Sequence, residues 1–432
     1  RYKLNKGQKT EDYYLDQALK ILSTAEKLTI QNPEFTKISD QSINELPDKI
    51  ISLVHFGRSG TGLLHSLIDG HPEISTLPSI YFSEYFDHST WIKIISNGWE
   101  GMVDKFVSIY DVFFDADSPA AIETKSKKLL YNIGITEGMA NLGENKAEVL
   151  RVDRKAFSSE LKRLLNFYSE IDAFIFFKLV NCAYAKVIKD YNSKGLIFYH
   201  IHNPDTYAQL NFTRLVPTAK WIVMVREPIQ SCESWIRNSF EDIDHFGVVS
   251  GILTMLFEID NIIYSKKRTI GLRLEDLKQK PRKTIPALCK WMGIDDNDQL
   301  YEMTAQGKRW WGDPASPDFK KDGNNPFGKT SINRKVGAIF SPRDQFILST
   351  LFYPFCVSFG YVPENSNKFQ GDLETIKPLL SEIFDFEKKL MAKTTTSVNN
   401  FMKSNSFLYF RAGLLERWNV LNEFRTYPNM IR

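Results

Sequence analysis

A glycine-rich turn between a strand-like run and a helix-like run constrains the fold of this chain more than any other feature. The turn, Gly57 to Gly62, follows the apolar run 50–56 and precedes leucines and an isoleucine spaced as one helix face. Glycines let backbone N–H groups approach an anion, and a helix N-terminus adds partial positive charge. The pattern predicts a phosphate-binding loop, unless it is only a tight turn.

The turn differs from the loop that binds nucleoside triphosphates, G-x-x-x-x-G-K-[ST]. In that loop the lysine contacts the β- and γ-phosphates, and the Ser or Thr hydroxyl binds Mg²⁺. Here Leu63 and Leu64 occupy those two positions. The sequence therefore argues against an ATPase or kinase, although a P-loop kinase stays open as an alternative.

A second motif lies at the end of another apolar run, 221–225. Arg226 follows that run, and Pro228 is placed as the first residue of a helix. Ser234 lies on the same predicted helix. We expect Arg226 and Ser234 to contact a second phosphate from two sides. The alternatives are a surface ion pair for Arg226 and a solvated serine.

These motifs resemble those of the sulfotransferase superfamily, which uses 3′-phosphoadenosine 5′-phosphosulfate (PAPS). The glycine turn is similar to the family's 5′-phosphosulfate loop, [KR]-S-G-T-[TG]-x-L, and its arginine places it closer to the bacterial and protein-tyrosine branches. Arg226, Pro228 and Ser234 are similar to the family's 3′-phosphate motif. The resemblance implies transfer of a sulfo group from PAPS to an acceptor hydroxyl, with adenosine 3′,5′-bisphosphate as product and no metal ion.

A third stretch, 272–277, followed by Pro281 and by 291–293, resembles the family's R-Y-E-D-L…P…F-L-G segment. Leu274 replaces the usual tyrosine there. The family's C-terminal R-K-G-x-x-G loop is only partly present, at 334–337. The resemblance covers residues of about 46–362.

The resemblance also implies which residues contact the nucleotide. These are Arg58, Ser59, Gly60, Thr61, Gly62, Leu63, Arg226, Ser234, Arg334 and Lys335. Arg58 is expected to stabilise the bridging oxygen that leaves with the phosphate. Arg334 and Lys335 follow a Gly/Pro/Asn/Asp-rich loop at 311–329, and they either close over the phosphates or remain a solvated pair.

Two residues are candidates for the general base that deprotonates the acceptor. His202 follows the strand-like run 196–201 at the ligand-binding edge expected of a parallel sheet, and histidine titrates near neutrality. Glu84 lies in the loop after the first helix, where protein-tyrosine sulfotransferases place a glutamate, although Ser79 occupies the strict position. A backbone-bonded histidine and a solvated glutamate are the alternatives.

Strand-like runs separated by helical patterns predict an α/β fold: a P-loop-type parallel sheet with helices on both faces, plus helical N- and C-terminal additions. We expect an N-terminal extension and linker at 1–45, an α/β domain at 46–365 and a helical segment at 366–432. Other predicted elements are an amphipathic helix at 11–32, a mostly helical region at 80–170, and strands at 173–180, 196–201 and 269–274.

Composition restricts the possible partners. A net charge of +3 predicts no nucleic-acid partner, and no apolar run is long enough to span a membrane. No signal-peptide pattern opens the chain, which predicts a cytoplasmic protein; its first residue, arginine, predicts a trimmed start. The expected acceptor is a small molecule or saccharide. The alternative function is a catalytically degenerate module that binds nucleotide and a partner protein.

Overall fold

The computed structural model describes residues 28–35, 46–78, 82–117, 133–190, 194–201, 206–258, 268–314, 325–394 and 396–421, together with Leu19 and residues 429–430. Leu19 is helical. The candidate base His202 lies outside the described residues, as do 11–18 and 20–27 of the predicted N-terminal helix.

Ten strands and seventeen α-helices occur in this part of the chain. The strands are β1 (Thr29–Gln31), β2 (Lys49–His55), β3 (Ile74–Thr76), β4 (Glu170–Asp172), β5 (Leu196–His200), β6 (Lys220–Val225), β7 (Thr269–Arg273), β8 (Thr304–Ala305), β9 (Lys308–Arg309) and β10 (Asn429–Met430). The helices of the N-terminal two-thirds are α1 (Thr61–Ile68), α2 (His88–Ile95), α3 (Gly98–Ile109), α4 (Ile133–Thr136), α5 (Arg154–Leu165), α6 (Ala173–Val187), α7 (Thr206–Leu215), α8 (Pro228–Glu241), α9 (His245–Glu258), α10 (Leu274–Gln279) and α11 (Pro281–Met292). The helices of the last third are α12 (Pro342–Leu351), α13 (Tyr353–Ser358), α14 (Ser366–Ile376), α15 (Asp385–Ala392), α16 (Val398–Met402) and α17 (Asn405–Val420).

The central sheet is parallel and has the strand order β10-β7-β6-β2-β5-β3. β2 lies between β5 and β6, so the turn that follows β2 lies between the ends of its two neighbours. In a parallel sheet all carboxyl ends meet at one edge, and ligands bind there. The predicted parallel sheet is confirmed, and it brings the glycine turn and Arg226 to the same edge.

Both faces of the sheet are covered by helices. Ile50 and Val54 of β2 point into one core cluster, while Ile51 and Leu53 point into another, as the alternation of a strand requires. Helices α6, α8 and α9 contribute to the first cluster, and α1 and α11 to the second. The apolar strand residues are therefore buried on both sides, which explains why β2 is apolar throughout.

Two predicted elements need correction. The predicted strand at 173–180 is wrong, because these residues begin α6, where Asp172 Oδ1 accepts a hydrogen bond from the Ile175 amide at 2.9 Å. A helix buried on most of its surface has a continuous apolar sequence, which periodicity does not distinguish from a buried strand. The predicted helix at 11–32 is wrong at its end, because β1 pairs antiparallel with β4.

The end of the chain is helical, as expected, and it packs on the α/β core. Glu387 of α15 is fully buried and accepts hydrogen bonds from Arg411 of α17 and from His245 Nε2 of α9, the latter at 3.0 Å. The chain then adds β10 beside β7 at the edge of the sheet. Across the described ranges, no helix is long and apolar enough to cross a membrane.

Candidate functional site

The turn after β2, which we call the glycine loop (Gly57–Gly62), requires two of its glycines. Gly57 and Gly60 have φ angles of +56° and +85°, in the left-handed region that favours glycine. A Cβ atom at Gly57 would lie 2.4 Å from Ser231 Oγ, and one at Gly60 would lie 2.7 Å from Leu274 Cδ1. At both positions the backbone conformation and the lack of space for a Cβ atom favour glycine.

The glycine loop presents the N-terminus of α1. Gly60 is the N-cap residue and provides no side-chain acceptor, while its carbonyl accepts the first helical bond, from the Leu64 amide at 3.2 Å. The first amides of a helix have no intrahelical acceptor. Ser59 is buried and its Oγ accepts from the Phe56 amide at 3.3 Å, which fixes the loop to β2. This arrangement can bind an anion.

Arg226 is buried at the end of β6, beside the glycine loop. Its Nε donates to Gln230 Oε1 at 2.8 Å, and one terminal nitrogen donates to the Arg58 carbonyl at 3.4 Å. The other terminal nitrogen donates to the Ser331 carbonyl. A buried guanidinium thus connects the strand end, the glycine loop and a distant segment of the chain.

The predicted partner of Arg226 lies further along α8. Ser234 is partly exposed, one turn beyond the fully buried Ser231. Ser231 Oγ donates to the Phe56 carbonyl at 3.4 Å. Ser231 therefore anchors the residue that immediately precedes the glycine loop. Ser231 is therefore a structural contact, and the family's spacing of eight residues after the arginine selects Ser234 instead.

Residues 331–340, which we call the return segment, pack along α8 and carry Arg334 and Lys335. Gln230 Nε2 donates to the Arg334 carbonyl at 2.6 Å. Glu233, also buried on α8, accepts from three backbone amides through one oxygen, Oε1. These amides belong to Gly337, Ile339 and Phe340, at 3.0, 3.1 and 2.9 Å. The return segment is thereby held near the glycine loop, with Arg334 half-buried and Lys335 exposed.

The side chain of Arg58 lies at the mouth of the site. It is 52% exposed, and its terminal nitrogen is 3.6 Å from Asp313 Oδ2. An exposed ion pair of this kind contributes little stability. Arg58 can therefore exchange Asp313 for another anion at small cost.

Glu84 belongs to a different environment. The residue as a whole is exposed, but its carboxyl group is turned toward the buried Tyr110, whose hydroxyl donates to Oε1 at 3.4 Å. Desolvation of this carboxyl group raises the pKa of Glu84. No hydrogen bond or ion pair found in the described ranges joins Glu84 to the glycine loop.

A carboxylate that the sequence did not indicate lies beside the glycine loop. Glu137 borders the same cleft as Gly62, and burial together with the nearby Asp313 raises its pKa to about 7, with Arg58 acting in the opposite direction. Trp310 connects the two sides of the cleft, because its indole Nε1 donates to the Glu137 carbonyl at 3.0 Å while its ring faces Gly62. No local pattern in the sequence marks Glu137.

Metal ligands do not cluster in the parts of the chain that the structure describes: no group of three or more His, Cys, Asp or Glu residues is arranged to hold an ion there. The charged groups near the glycine loop include the cations Arg58 and Arg226 and the acidic residues Glu137 and Asp313.

Comparison with known proteins identifies a family over the same region. Residues 51–298, more than half of the chain, match a family described as the sulfotransferase family. No curated protein matches. Among solved structures, the sulfotransferase domain of the Synechococcus PCC 7002 olefin synthase is 16% identical, with a TM-score of 0.40, and the alignment covers 74% of this chain and 98% of that one. The sulfotransferase domain from the curacin biosynthetic pathway is 15% identical, with a TM-score of 0.39 and coverages of 71% and 98%. Sulfotransferase STF9 from Mycobacterium avium is 11% identical, with a TM-score of 0.30 and coverages of 59% and 66%.

Proposed function

Since this chain belongs to the sulfotransferase family, we propose that it transfers the sulfo group of PAPS to a hydroxyl group of an acceptor. The observation that carries the proposal is the contact between Arg226 and the backbone of the glycine loop. It joins two anion-binding elements at the carboxyl ends of adjacent strands, β2 and β6. A ligand with two separated phosphate-like groups, such as PAPS, fits that pairing.

Each element has a distinct task in this proposal. The amides at the start of α1 and the glycine loop bind the 5′-phosphosulfate, for which helix N-termini are suited. Arg226 and Ser234 bind the 3′-phosphate, and Arg334 and Lys335 approach from the return segment. The exposed Arg58 leaves Asp313 and stabilises the negative charge that develops on the leaving phosphate oxygen.

Sulfuryl transfer also needs an acceptor hydroxyl that loses its proton. The reaction depends on positioning and electrostatic stabilisation, much as phosphoryl transfer does. His202 and Glu84 stay predictions for the base: His202 lies outside the described residues, and Glu84 hydrogen-bonds Tyr110.

The test compares ligands by calorimetry. Adenosine 3′,5′-bisphosphate should bind far more tightly than 5′-AMP, because only the former engages Arg226 and Ser234. Ser234→Ala should weaken binding of the bisphosphate about tenfold or more, since a hydrogen bond to a charged group contributes about 1.5–3 kcal/mol. The same variant should leave 5′-AMP unaffected, and Asn238→Ala, an exposed residue of the same helix, is the control.

Two results would contradict the proposal. Equal affinities for the two nucleotides would remove the 3′-phosphate site and with it the assignment of PAPS. Tight binding of adenosine 3′,5′-bisphosphate without any consumption of PAPS would identify a nucleotide-binding module that has lost catalysis.

A further inference from the structure

The cleft beside the glycine loop holds polar groups that the proposed nucleotide contacts leave unused. It is about 380 Å³ of empty space, including its open mouth, between α1, the turn 137–139 and the β8–β9 hairpin. Met139, Leu150 and Ala305 give it an apolar wall. A largely apolar cleft with a few convergent polar groups is the usual form of a small-molecule site.

Gln306 is the first of these polar groups. Both of its amide atoms are buried, and neither has a hydrogen-bond partner in the described ranges. Its φ of +55° is the one that the two-residue turn between β8 and β9 requires, since both central residues of such a turn are left-handed. A buried amide without a partner in a cleft is the kind of group that recognises a ligand, because leaving it unpaired is costly otherwise.

Glu137 is the second of these polar groups, and the backbone next to it packs closely against another segment of the chain. Gly138 has a φ of +76°, and a Cβ atom there would lie 2.7 Å from the Gly312 carbonyl oxygen. The turn 137–139 thereby packs directly against residues 310–314, which also contribute Trp310 and Asp313. This contact places Glu137 on the same cleft as Gly62 of the glycine loop.

We propose that this cleft receives the acceptor hydroxyl, with Gln306 hydrogen-bonding the acceptor and Glu137 accepting the hydroxyl proton. The proposal rests on the sulfotransferase function proposed above. In the step itself, the acceptor O–H bond breaks and its proton passes to the Glu137 carboxylate. The acceptor oxygen forms a bond to sulfur, and the sulfur–oxygen bond to the 5′-phosphate breaks with its electron pair left on the phosphate. Glu137 then releases the proton to solvent.

The electrostatic surroundings suit this role. The charged groups that act on Glu137 are Arg58 from the glycine loop and Asp313 from the segment packed on it. His65 of α1 and Asp69, the residue after α1, line the same cleft. Burial lowers the pKa of His65 to about 4, so that ring is neutral near pH 7 and does not compete as a cation. A general base works best when its pKa lies near the operating pH, which is where the pKa of Glu137 lies, at about 7.

The first measurement tests whether Glu137 lies next to the bound nucleotide. A bound phosphate raises the pKa of a neighbouring carboxyl group. At pH 7.5 a group with a pKa of about 7 should then take up at most about three-quarters of a proton when adenosine 3′,5′-bisphosphate binds. Calorimetry in two buffers of different ionisation enthalpy measures this uptake. We expect Glu137→Gln to reduce it, with nucleotide affinity unchanged or higher because a repelling negative charge is gone.

The second measurement tests proton transfer, with water standing in for the acceptor hydroxyl. Glu137→Gln should slow the release of adenosine 3′,5′-bisphosphate from PAPS by about 10²–10⁴-fold, the usual contribution of a general base. In the wild-type protein kcat/KM should rise with pH through about 7, since the base acts only when deprotonated, and this rise should vanish in the variant.

Glu144→Gln is the matched control, because Glu144 lies on the same stretch of chain but forms an exposed ion pair with Arg309. It should leave both measurements unchanged. Equal proton uptake in wild type and Glu137→Gln would overturn the placement of Glu137. Turnover and pH profile unchanged in Glu137→Gln would overturn its role as base. A wild-type protein that neither binds the bisphosphate nor consumes PAPS would instead refute the proposed function.

Discussion

Replacing Glu233 by alanine should release the return segment, because one carboxylate oxygen of Glu233 accepts hydrogen bonds from three backbone amides of that segment. The Ile339 and Phe340 amides belong to buried residues, so they would lose their acceptor without gaining water, whereas Gly337 is exposed. An unsatisfied buried donor costs about 1–3 kcal/mol. Two such donors give an expected loss of about 2–6 kcal/mol in the free energy of unfolding.

Glu233→Gln separates geometry from charge. All three amides bond to Oε1, and glutamine keeps an oxygen at that position. The variant should lose only the extra strength that a charged acceptor provides, since charge-assisted hydrogen bonds are about twice as strong as neutral ones. We therefore expect glutamine to destabilise clearly less than alanine.

The assay is equilibrium urea unfolding of wild type, Glu233→Gln, Glu233→Ala and the exposed control Glu241→Ala. If the segment detaches locally before the protein unfolds, the loss of stability will be smaller, but the apparent Kd for adenosine 3′,5′-bisphosphate will rise in inverse proportion to the fraction of molecules in which the segment is still seated. An alanine variant within about 0.5 kcal/mol of wild type and with unchanged nucleotide affinity would refute the reasoning, since surface changes alone stay within that range.

Three further predictions concern the catalytic edge of the sheet. Arg58→Ala should reduce sulfo transfer by about 10²–10³-fold, the usual effect of losing one donor to a developing oxyanion. A well-folded Arg58→Ala variant with activity within a few-fold of wild type would exclude Arg58 from the mechanism. If His202 is the base, His202→Ala should lose most turnover while still binding adenosine 3′,5′-bisphosphate, and Glu84→Gln should lose less; the reverse ranking would favour Glu84. If Glu137 is the base, as proposed above, both variants should keep their activity. Gly60→Ala should abolish nucleotide binding measured by calorimetry, because the new Cβ would lie 2.7 Å from Leu274 Cδ1 at a φ of +85°; normal affinity would show that the loop is deformable.

The central sheet and the glycine loop were predictable because their signals are local. Each buried strand is a short apolar run, and the two glycines with left-handed φ angles lie where the strand must turn into a helix. The predicted strands at 196–201 and 269–274 are confirmed as β5 and β7, within one residue at each end. Where an apolar run and the turn residues after it indicate the same element, the structure contains the predicted element.

The errors come from elements whose state depends on distant partners. α6 has the apolar composition of a buried strand, and its helical state is indicated only by Asp172 as N-cap residue. β1 and β10 are short strands that form by pairing with β4 and β7, far away in sequence. Tertiary pairing decides such segments, and a local window does not contain it.

The same limit applies to the site. The family pattern indicates Arg226 and Ser234, but it gives no reason to notice Glu233, Gln306 or Glu137. Glu233 is recognisable only when the return segment lies along α8. Glu137 becomes interesting only when Gly138 allows the turn 137–139 to pack on residues 310–314. These are contacts between segments about 100 or more residues apart.

The return segment links folding and nucleotide binding in both directions. If it must be seated for Arg334 and Lys335 to reach the phosphates, any factor by which Glu233→Ala weakens nucleotide binding is also the factor by which bound nucleotide favours the seated segment, since coupling free energies are reciprocal. Arg226 strengthens this link, because its guanidinium donates to carbonyl oxygens of both the glycine loop and Ser331 of the return segment. Adenosine 3′,5′-bisphosphate should therefore protect the amides of Ile339 and Phe340 from hydrogen exchange in the wild-type protein, and by more than 5′-AMP does. Equal protection by the two nucleotides would show that the return segment is seated independently of the 3′-phosphate.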